Sequence, residues 1–420
     1  MSSGVRAAFY GDDFTGSVDA LLQFERRGWT GRLFVGVPPT EALGAAAAEA
    51  DVIGIAGIAR SLAVSDLDAE LEPALRALVS VKPHLVQYKA CSTADSSPSI
   101  GNLGRVIELG RALVCEDRPV PMLFAQPDFG RYTVFGHHFA AEDGVVYRLD
   151  QQPTMSTHPS TPMTESDLAV HLSHQTDLPI TSMPYTAYTS PEAIAAGLST
   201  TEAAAVVLDT LDDRHLDLLG AAVGLLPTPV FAVGSGGLSH AVAAATPGMG
   251  RSIPTTTPTD GPVLAVSGSR SAQTRRQVDA ARAAGWWVRP LAFGADAASF
   301  DDVLSALAAG RSVVLTSDDA DASGVRPDEI LAVIAEAAAS VVAAAAHAAV
   351  VRRVVVCGGD TSSRVTRLLG VDSLSIVANP WANVVLLRAH ADDPAIDGLE
   401  LLLKGGQVGD ADLLERVRAL

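Results

Sequence analysis

Residues Val354 to Val365 read Val-Val-Val-Cys-Gly-Gly-Asp-Thr-Ser-Ser-Arg-Val, an order that leaves few folds open. Three β-branched residues predict a buried strand, two glycines a tight turn, and the polar residues after them a helix start. The glycines admit a ligand close to the backbone. Free N–H groups at the start of the helix favour an anion such as phosphate. Asp360 adds a carboxylate where phosphoryl transfer needs a base or a magnesium partner, although Asp or Thr at this point also commonly caps a helix.

The same rhythm runs through the chain. Ala7 to Tyr10 predicts a strand, followed by Gly11-Asp12-Asp13-Phe14-Thr15-Gly16-Ser17 and a helix through Arg27. Strands follow at Leu33 to Val37, Val52 to Ala56 and Leu85 to Tyr88, the last running into Lys89-Ala-Cys-Ser-Thr-Ala-Asp-Ser-Ser. Strands alternating with helices predict an α/β protein with mostly parallel sheets flanked by helices, whose ligands gather at the carboxyl ends of the strands. Asp12, Asp13, Arg60, Ser61 and Lys89 all fall at such ends. Carboxylates, cations and hydroxyls together suit a small polyhydroxy acid.

A length of 420 residues predicts two domains or three. The formal net charge of -18 argues against non-specific binding to nucleic acid or to anionic membranes. Cations for an anionic substrate must then be concentrated locally. Only three residues are lysine, Lys82, Lys89 and Lys404, and the last two adjoin small polar or Gly-rich sequence. Lysine is a compact point charge suited to phosphate or carboxylate. Cys91, Cys115 and Cys357 form no CxxC pair and indicate neither a disulfide framework nor a structural zinc site. No signal-peptide pattern opens the chain, and the alanine-rich Ile330 to Val351 is broken by Glu336 and His347. A soluble, cytoplasmic protein is expected, with no membrane partner.

The middle of the chain, Met122 to Met183, reads as irregular. Phe135-Gly136-His137-His138 and His158-Pro-Ser-Thr-Pro-Met163 have loop character, and the paired histidines lack further ligands at metal-site spacing. Pro254 to Pro262 reads as an interdomain linker, separating domains at 1–253 and 263–420. Beyond it come strands at Val263 to Val266, Val313 to Thr316, Val354 to Cys357, Val384 to Leu387 and Leu401 to Leu403. Three of them end in Ser267-Gly-Ser269, Gly358-Gly359 and Lys404-Gly405-Gly406, which together could enclose a nucleotide triphosphate. There is no Walker A motif, no protein-kinase signature and no complete dinucleotide fingerprint around Gly234 to Gly237.

In this order the motifs resemble the four-carbon acid sugar kinase family over nearly the full length. The carriers are Asp12-Asp13-Phe14-Thr15-Gly16, Arg60-Ser61, Lys89-Ala-Cys-Ser-Thr-Ala-Asp95-Ser-Ser, Gly101-Asn102-Leu103-Gly104, His158-Pro-Ser-Thr-Pro-Met163, Ser267-Gly-Ser269, Gly358-Gly359-Asp360-Thr361 and Lys404-Gly405-Gly406. The resemblance implies an enzyme with a sugar-acid domain followed by an ATP domain. Asp12, Asp13, Arg60, Ser61, Lys89, Ser92, Asp95 and His158 would belong to the sugar-acid pocket. Ser267, Ser269, Gly358, Gly359, Asp360, Thr361, Gly405 and Gly406 would belong to the ATP site, with Mg2+ carried in on the nucleotide. The hydroxyl proton would go to Asp360, with Asp13 second. Two departures bear on the substrate: Ala94 replaces the family's Phe, and Lys404-Gly-Gly-Gln-Val-Gly replaces Lys-Ser-Gly-Asn-Phe-Gly. The latter resembles a branch acting on apiose-derived acids such as 3-oxo-isoapionate, beside the 3-oxo-tetronate and threonate branches. The rivals are a sugar-acid sensor without turnover and a dinucleotide-dependent oxidoreductase. A homodimer is a candidate assembly that no interface signal in the sequence singles out.

Overall fold

The computed structural model describes residues 4–116, 118–250, 252–257, 261–294, 300–318, 320, 325–326 and 329–420. The chain divides into two compact units, Met1–Ser252 and Ile253–Leu420.

In the first unit, strands β1 (Ala7–Gly11), β2 (Gly31–Val35), β3 (Val52–Ala56), β4 (Leu85–Lys89) and β5 (Val120–Leu123) come first. A small sheet interrupts the series: β6 (Arg131–Val134), β7 (His137–Glu142) and β8 (Val145–Arg148). Strands β9 (Ile180–Met183), β10 (Ala205–Leu208) and β11 (Val230–Gly234) resume it. The main sheet runs β2-β3-β1-β4-β11-β5-β10-β9, and every pairing in it is parallel. Its helices are α1 (Phe14–Glu25), α2 (Thr40–Glu49), α3 (Leu67–Ser80), α4 (Leu103–Gly110), α5 (Leu168–Ser173), α6 (Pro191–Thr200), α7 (Asp213–Gly224) and α8 (Gly236–Ala245). Every residue of β1, β3, β4 and β11 is buried. That is why β1, β3 and β11 are apolar runs without polar alternation, and why the polar Gln87 and Lys89 of β4 stand out: helices cover both faces.

The middle of the chain is more ordered than its sequence suggests. β6, β7 and β8 form an antiparallel meander, with Phe135 and Gly136 at its first turn in the left-handed region (φ 49° and 79°). The glycine and histidine that read as loop signals are a hairpin turn and the start of β7.

The second unit contains β12 (Val263–Ser267), β13 (Trp287–Pro290), β14 (Val313–Thr316), β15 (Arg353–Cys357), β16 (Val371–Trp381), β17 (Val384–Ala391) and β18 (Glu400–Lys404). Its helices are α9 (Ala272–Ala283), α10 (Asp301–Ala308), α11 (Ile330–His347), α12 (Gly359–Leu368) and α13 (Leu413–Arg418). The strand order is β13-β14-β12-β15-β18-β17-β16. From β13 to β18 the pairings are parallel; β17 runs antiparallel to both β18 and β16. The sequence reading passes over β16, whose eleven residues include Asp372, Asn379 and Pro380 and which pairs with β17 through register shifts. Both units are thus α/β with mostly parallel sheets.

Residues 254–257 are fastened to the second unit. Pro254 O accepts from Asn379 N at 2.8 Å, and Thr257 O accepts from Arg353 Nη2 at 2.8 Å. The rest of the expected linker includes residues 258–260, which lie outside the described residues. Helix α11 is the one described helix long and apolar enough to cross a membrane, with half of its span buried. Glu336, Ser340 and His347 mark its exposed side, while Ala335, Ala338, Val341 and Val342 are buried. It packs against α12 as an amphipathic helix does.

Arg353 and Glu400 lie side by side on β15 and β18, at 2 % and 8 % side-chain exposure. Nε and Nη2 of Arg353 donate to Glu400 Oε2 at 2.9 and 2.7 Å, and Nη1 donates to Val417 O at 2.8 Å. Arg353→Met should destabilise this unit by about 3–5 kcal/mol, because it strands a buried carboxylate. Arg353→Met combined with Glu400→Leu should recover much of that loss in denaturant unfolding. No recovery in the double variant would show that packing, and not charge pairing, sets the cost.

Candidate functional site

Sheet register decides which loops are neighbours. Gly11 pairs with both Ala56 and Lys89, and Lys89 also pairs with Gly234. In the second unit Ser267 pairs with Thr316 and Cys357, and Cys357 with Lys404. Each unit therefore carries one row of polar loops along the carboxyl edge of its sheet, where parallel α/β proteins bind ligands.

In the first unit, Asp13 caps α1: its Oδ1 accepts from Gly16 N at 2.9 Å. Arg60 sits on the single turn Ala59–Ser61 after β3, and its backbone N donates to Asp12 O at 3.1 Å. Its guanidinium donates from Nη2 to Asp12 Oδ1 at 2.7 Å, from Nε to Asp12 Oδ2 at 3.2 Å, and from Nη2 to Asp13 Oδ1 at 2.8 Å. Burial pushes the Asp12 carboxyl up, and Arg60 pulls against that shift. Burial also opposes the Arg60 charge, but Asp12 and Asp13 outweigh it and raise the guanidinium further. Arg60 is thus committed to organising the two aspartates, leaving Nη1 unengaged among the described residues.

Lys89, at the end of β4, is 3 % exposed. Its Nζ donates to Ala90 O at 2.9 Å, and among the described residues no carboxylate lies within ion-pair distance. A Cβ built on Gly16 would meet Asp13 Oδ1 at 2.4 Å and Lys89 Nζ at 3.0 Å, with Arg60 Nη2 at 3.6 Å. Three charged groups thus converge on this glycine, and only a hydrogen there leaves them room.

The loop after Lys89 is braced from behind. Thr93 Oγ1 donates to Asp95 Oδ1 at 2.6 Å, and the Cys91 thiol is pushed up to about 11, first by burial and then by Asp95. The thiol is half-buried, and this shift leaves it protonated at neutral pH. His138 of β7 donates from Nε2 to Ser92 O at 2.7 Å, while its Nδ1 accepts from Thr133 Oγ1 at 3.0 Å. His171 of α5 meets Ser96 Oγ at 2.9 Å. Burial depresses both imidazoles to about 4. Sequence reasoning leaves His138 as an ordinary loop or core residue and does not single out His171; their support of the Lys89–Ser96 loop is visible only in three dimensions.

Ser61 and His158 stand differently. Ser61 is exposed and donates to Ile58 O of its own turn at 3.0 Å. His158 Nδ1 accepts from Thr161 N at 3.1 Å and meets Thr161 Oγ1 at 2.8 Å, so the ring is held within its own loop with Nε2 as the remaining donor.

In the second unit the three glycine- or serine-rich strand ends are laced together. Gly268 N donates to Cys357 O at 3.0 Å, Gly358 N to Lys404 O at 2.8 Å, and Ser317 N to Ser267 O at 2.9 Å. Gly358 has φ 119°, which few other residues tolerate, and a Cβ on Gly268 would collide with Thr361 Oγ1 at 2.4 Å. Lys404 is 2 % exposed; its Nζ donates to Thr274 Oγ1 and Gly405 O, each at 3.1 Å, with no carboxylate in contact among the described residues. Asp360 is exposed in the first turn of α12, and its carboxylate has no hydrogen bond among the described residues. A cleft of about 680 Å³ opens beside Ser267, Ser269, Thr274, Thr316 and Asp318 and runs along α9 to Arg282. Its volume and polar rim fit a nucleotide.

Two α/β units, each with a buried unpaired lysine at a strand end and one with a nucleotide-sized cleft, define a bipartite small-molecule kinase. Residues 7–242 match the model of a sugar-binding N-terminal domain, and residues 264–414 match that of a nucleotide-binding C-terminal domain. The chain belongs to the four-carbon acid sugar kinase family. It is 36% identical to the 3-oxo-isoapionate kinase of Paraburkholderia graminis, over 99% of this chain and 94% of that protein. Identity to the 3-oxo-tetronate kinase of Pseudomonas fluorescens is 31%, over 96% and 94%. The crystal structure of a Salmonella typhimurium LT2 protein shares the fold with a TM-score of 0.82 at 24% identity, over 98% of each chain.

A pH dependence follows from the two buried imidazoles. Their folded values lie below the usual 6.5 or so, at about 4. Between those values the unfolded chain binds more protons than the folded one, so stability is complete above pH ~6.5 and declines as pH falls towards 4. Thermal melts of His138→Asn should show a shallower decline over that window, by about one proton of the linkage slope. An unchanged slope would remove His138 from the effect.

Proposed function

We propose that this protein transfers the γ-phosphoryl group of ATP to a hydroxyl of a short sugar acid. Its N-terminal unit would bind the acid and its C-terminal unit the nucleotide. The observation that carries this reading is the pair of buried lysines without carboxylate partners, one in each unit. A buried ammonium with unspent donors calls for an anion. Two such places in separate units suit a carboxylate on one substrate and phosphates on the other.

In this scheme Lys89 holds the substrate carboxylate. Arg60 orients Asp12 and Asp13. Asp12, Asp13, Ser92 and Asp95 receive the hydroxyls, with Ser61 and the Nε2–H of His158 at the margin. Ser267, Ser269, Thr361 and the backbone N–H groups at Gly359, Gly405 and Gly406 surround the phosphates, and Gly358, whose own N–H is spent on Lys404 O, shapes the turn beneath them. Lys404 supplies positive charge behind them. Fixed donors of this kind stabilise charge that spreads over the transferring group. Bound Mg2+ would neutralise the β- and γ-phosphates. Among the described residues no group of three or more His, Cys, Asp or Glu converges, so the ion would arrive on ATP. Asp360 takes the hydroxyl proton, with Asp13 second; the unencumbered carboxylate of Asp360 supports that order. An enzyme that consumes ATP would work in the cytoplasm.

A branched 3-oxo acid of the 3-oxo-isoapionate kind is the first substrate to try. The 36% relative acts on it by name, and Ala94 stands beside Asp95 where the family pattern has Phe. ADP release with Mg-ATP should be tested on 3-oxo-isoapionate, 3-oxo-tetronates, threonate and erythronate. Turnover on one acid is expected. Absence of both turnover and ATP binding would sink the kinase reading and favour the sensor. Asp360→Asn should lower kcat by about 10²- to 10⁴-fold, the usual contribution of a general base. If Asp13→Asn alone does so, the base is Asp13. Lys89→Met should raise KM for the acid far more than KM for ATP, and the opposite pattern would reject its assigned role.

A further inference from the structure

The loop after Lys404 has an unusual construction. It reads Gly405-Gly406-Gln407-Val408-Gly409-Asp410, and its three glycines have no side chains to pack. What fixes it is one face of α9. Ser271 Oγ and Thr274 Oγ1 donate to Gly406 O at 2.5 and 2.9 Å. One turn further along, Gln277 is 1 % exposed. Its Nε2 lies 3.0 Å from each of three carbonyl oxygens, those of Val408, Gly409 and Asp410. Two amide protons thus serve three acceptors on consecutive residues. The Oε1 of the same amide is buried with no partner among the described residues. That is a cost the site bears for the sake of the donor side.

The carbonyls of Gly406, Val408, Gly409 and Asp410 are therefore turned towards α9 and its cap. The loop's amides are not: among the described residues, the backbone N–H groups of Gly406 and Gln407 have no acceptor. Val408 N–H is spent within the loop on Gly405 O at 3.2 Å, but two consecutive N–H groups without an acceptor, in a loop whose carbonyls are pinned, can serve an anion as a nest does. Lys404 lies at its root.

We propose that Gln277 is a positioning residue for the nucleotide. It touches no substrate, but holds the 405–410 loop in the one orientation that presents N–H groups to the phosphates. This rests on the reading of the second unit as the ATP site. Losing the amide would let the loop rotate peptides and spend those N–H groups internally. ATP binding would weaken while the sugar-acid end stayed intact.

The test uses the full-length enzyme. Gln277→Leu keeps the side-chain volume and removes the donors. It should raise KM for ATP, and the calorimetric Kd for ATP, by about tenfold or more, the equivalent of one or two net hydrogen bonds. KM for the sugar acid should stay within about twofold. Gln277→Glu tests the same idea without relying on a cavity. Its carboxylate would face three carbonyl oxygens, so ATP affinity should be poor at neutral pH and recover on acidification as a protonated carboxyl regains a donor. The wild-type profile should lack that recovery. If wild-type enzyme neither binds nor turns over ATP, the kinase reading and this inference fall together. If it turns over normally and Gln277→Leu leaves KM for ATP unchanged, only the inference fails. Equal increases in both KM values, with no acid recovery in Gln277→Glu, would reduce Gln277 to a structural residue and overturn the proposal.

Discussion

An ammonium group taken out of water costs several kcal/mol unless charge and hydrogen bonds compensate it, and this chain buries two at the ends of parallel strands. At Lys89 the protein supplies a carbonyl and a nearby aspartate–arginine cluster; at Lys404 it supplies a hydroxyl and a carbonyl. Neither receives a carboxylate in contact among the described residues. Much else follows from holding these groups at the carboxyl edge of a sheet. Asp12 and Asp13 are tied to Arg60, Gly16 has no side chain, and the loops beyond each lysine are braced by residues far away in sequence.

The bracing uses groups chosen for what they can donate. His138 stays neutral in the core, so one ring nitrogen gives a proton to Ser92 O while the other accepts from Thr133. Gln277 carries out the corresponding task in the other unit with an amide, which has protons to give and no charge to bury. A lysine there would have added another buried cation, and a glutamate would have set an acceptor against three acceptors. In both units the chemistry stands on a loop, and the rigidity comes from a helix or strand behind it.

Much of this organisation is legible in the sequence. The largely apolar runs ending in Gly11-Asp12-Asp13, Lys89-Ala-Cys, Ser267-Gly-Ser269, Cys357-Gly358-Gly359 and Lys404-Gly405-Gly406 mark buried strands and polar strand ends, because apolar runs and turn residues act locally. The rarity of lysine singles out Lys89 and Lys404 before any coordinates. The antiparallel meander of β6 to β8 and the long β16 are not legible in the same way. Their residues are half-exposed and partly polar, and pairing partners, not local propensity, make them strands.

What the sequence determined by itself is the kind of fold and the residue types at its strand ends, since both depend on short-range pattern. The assignment of partners was decided only by the tertiary structure. Nothing in the order of residues says that Arg60 spends its guanidinium on Asp12 and Asp13, that His138 holds Ser92, or that Gln277 reaches residues 408–410. Hydrogen bonds act over about 3 Å, and sheet register and helix packing alone bring residues so far apart in the chain within that distance.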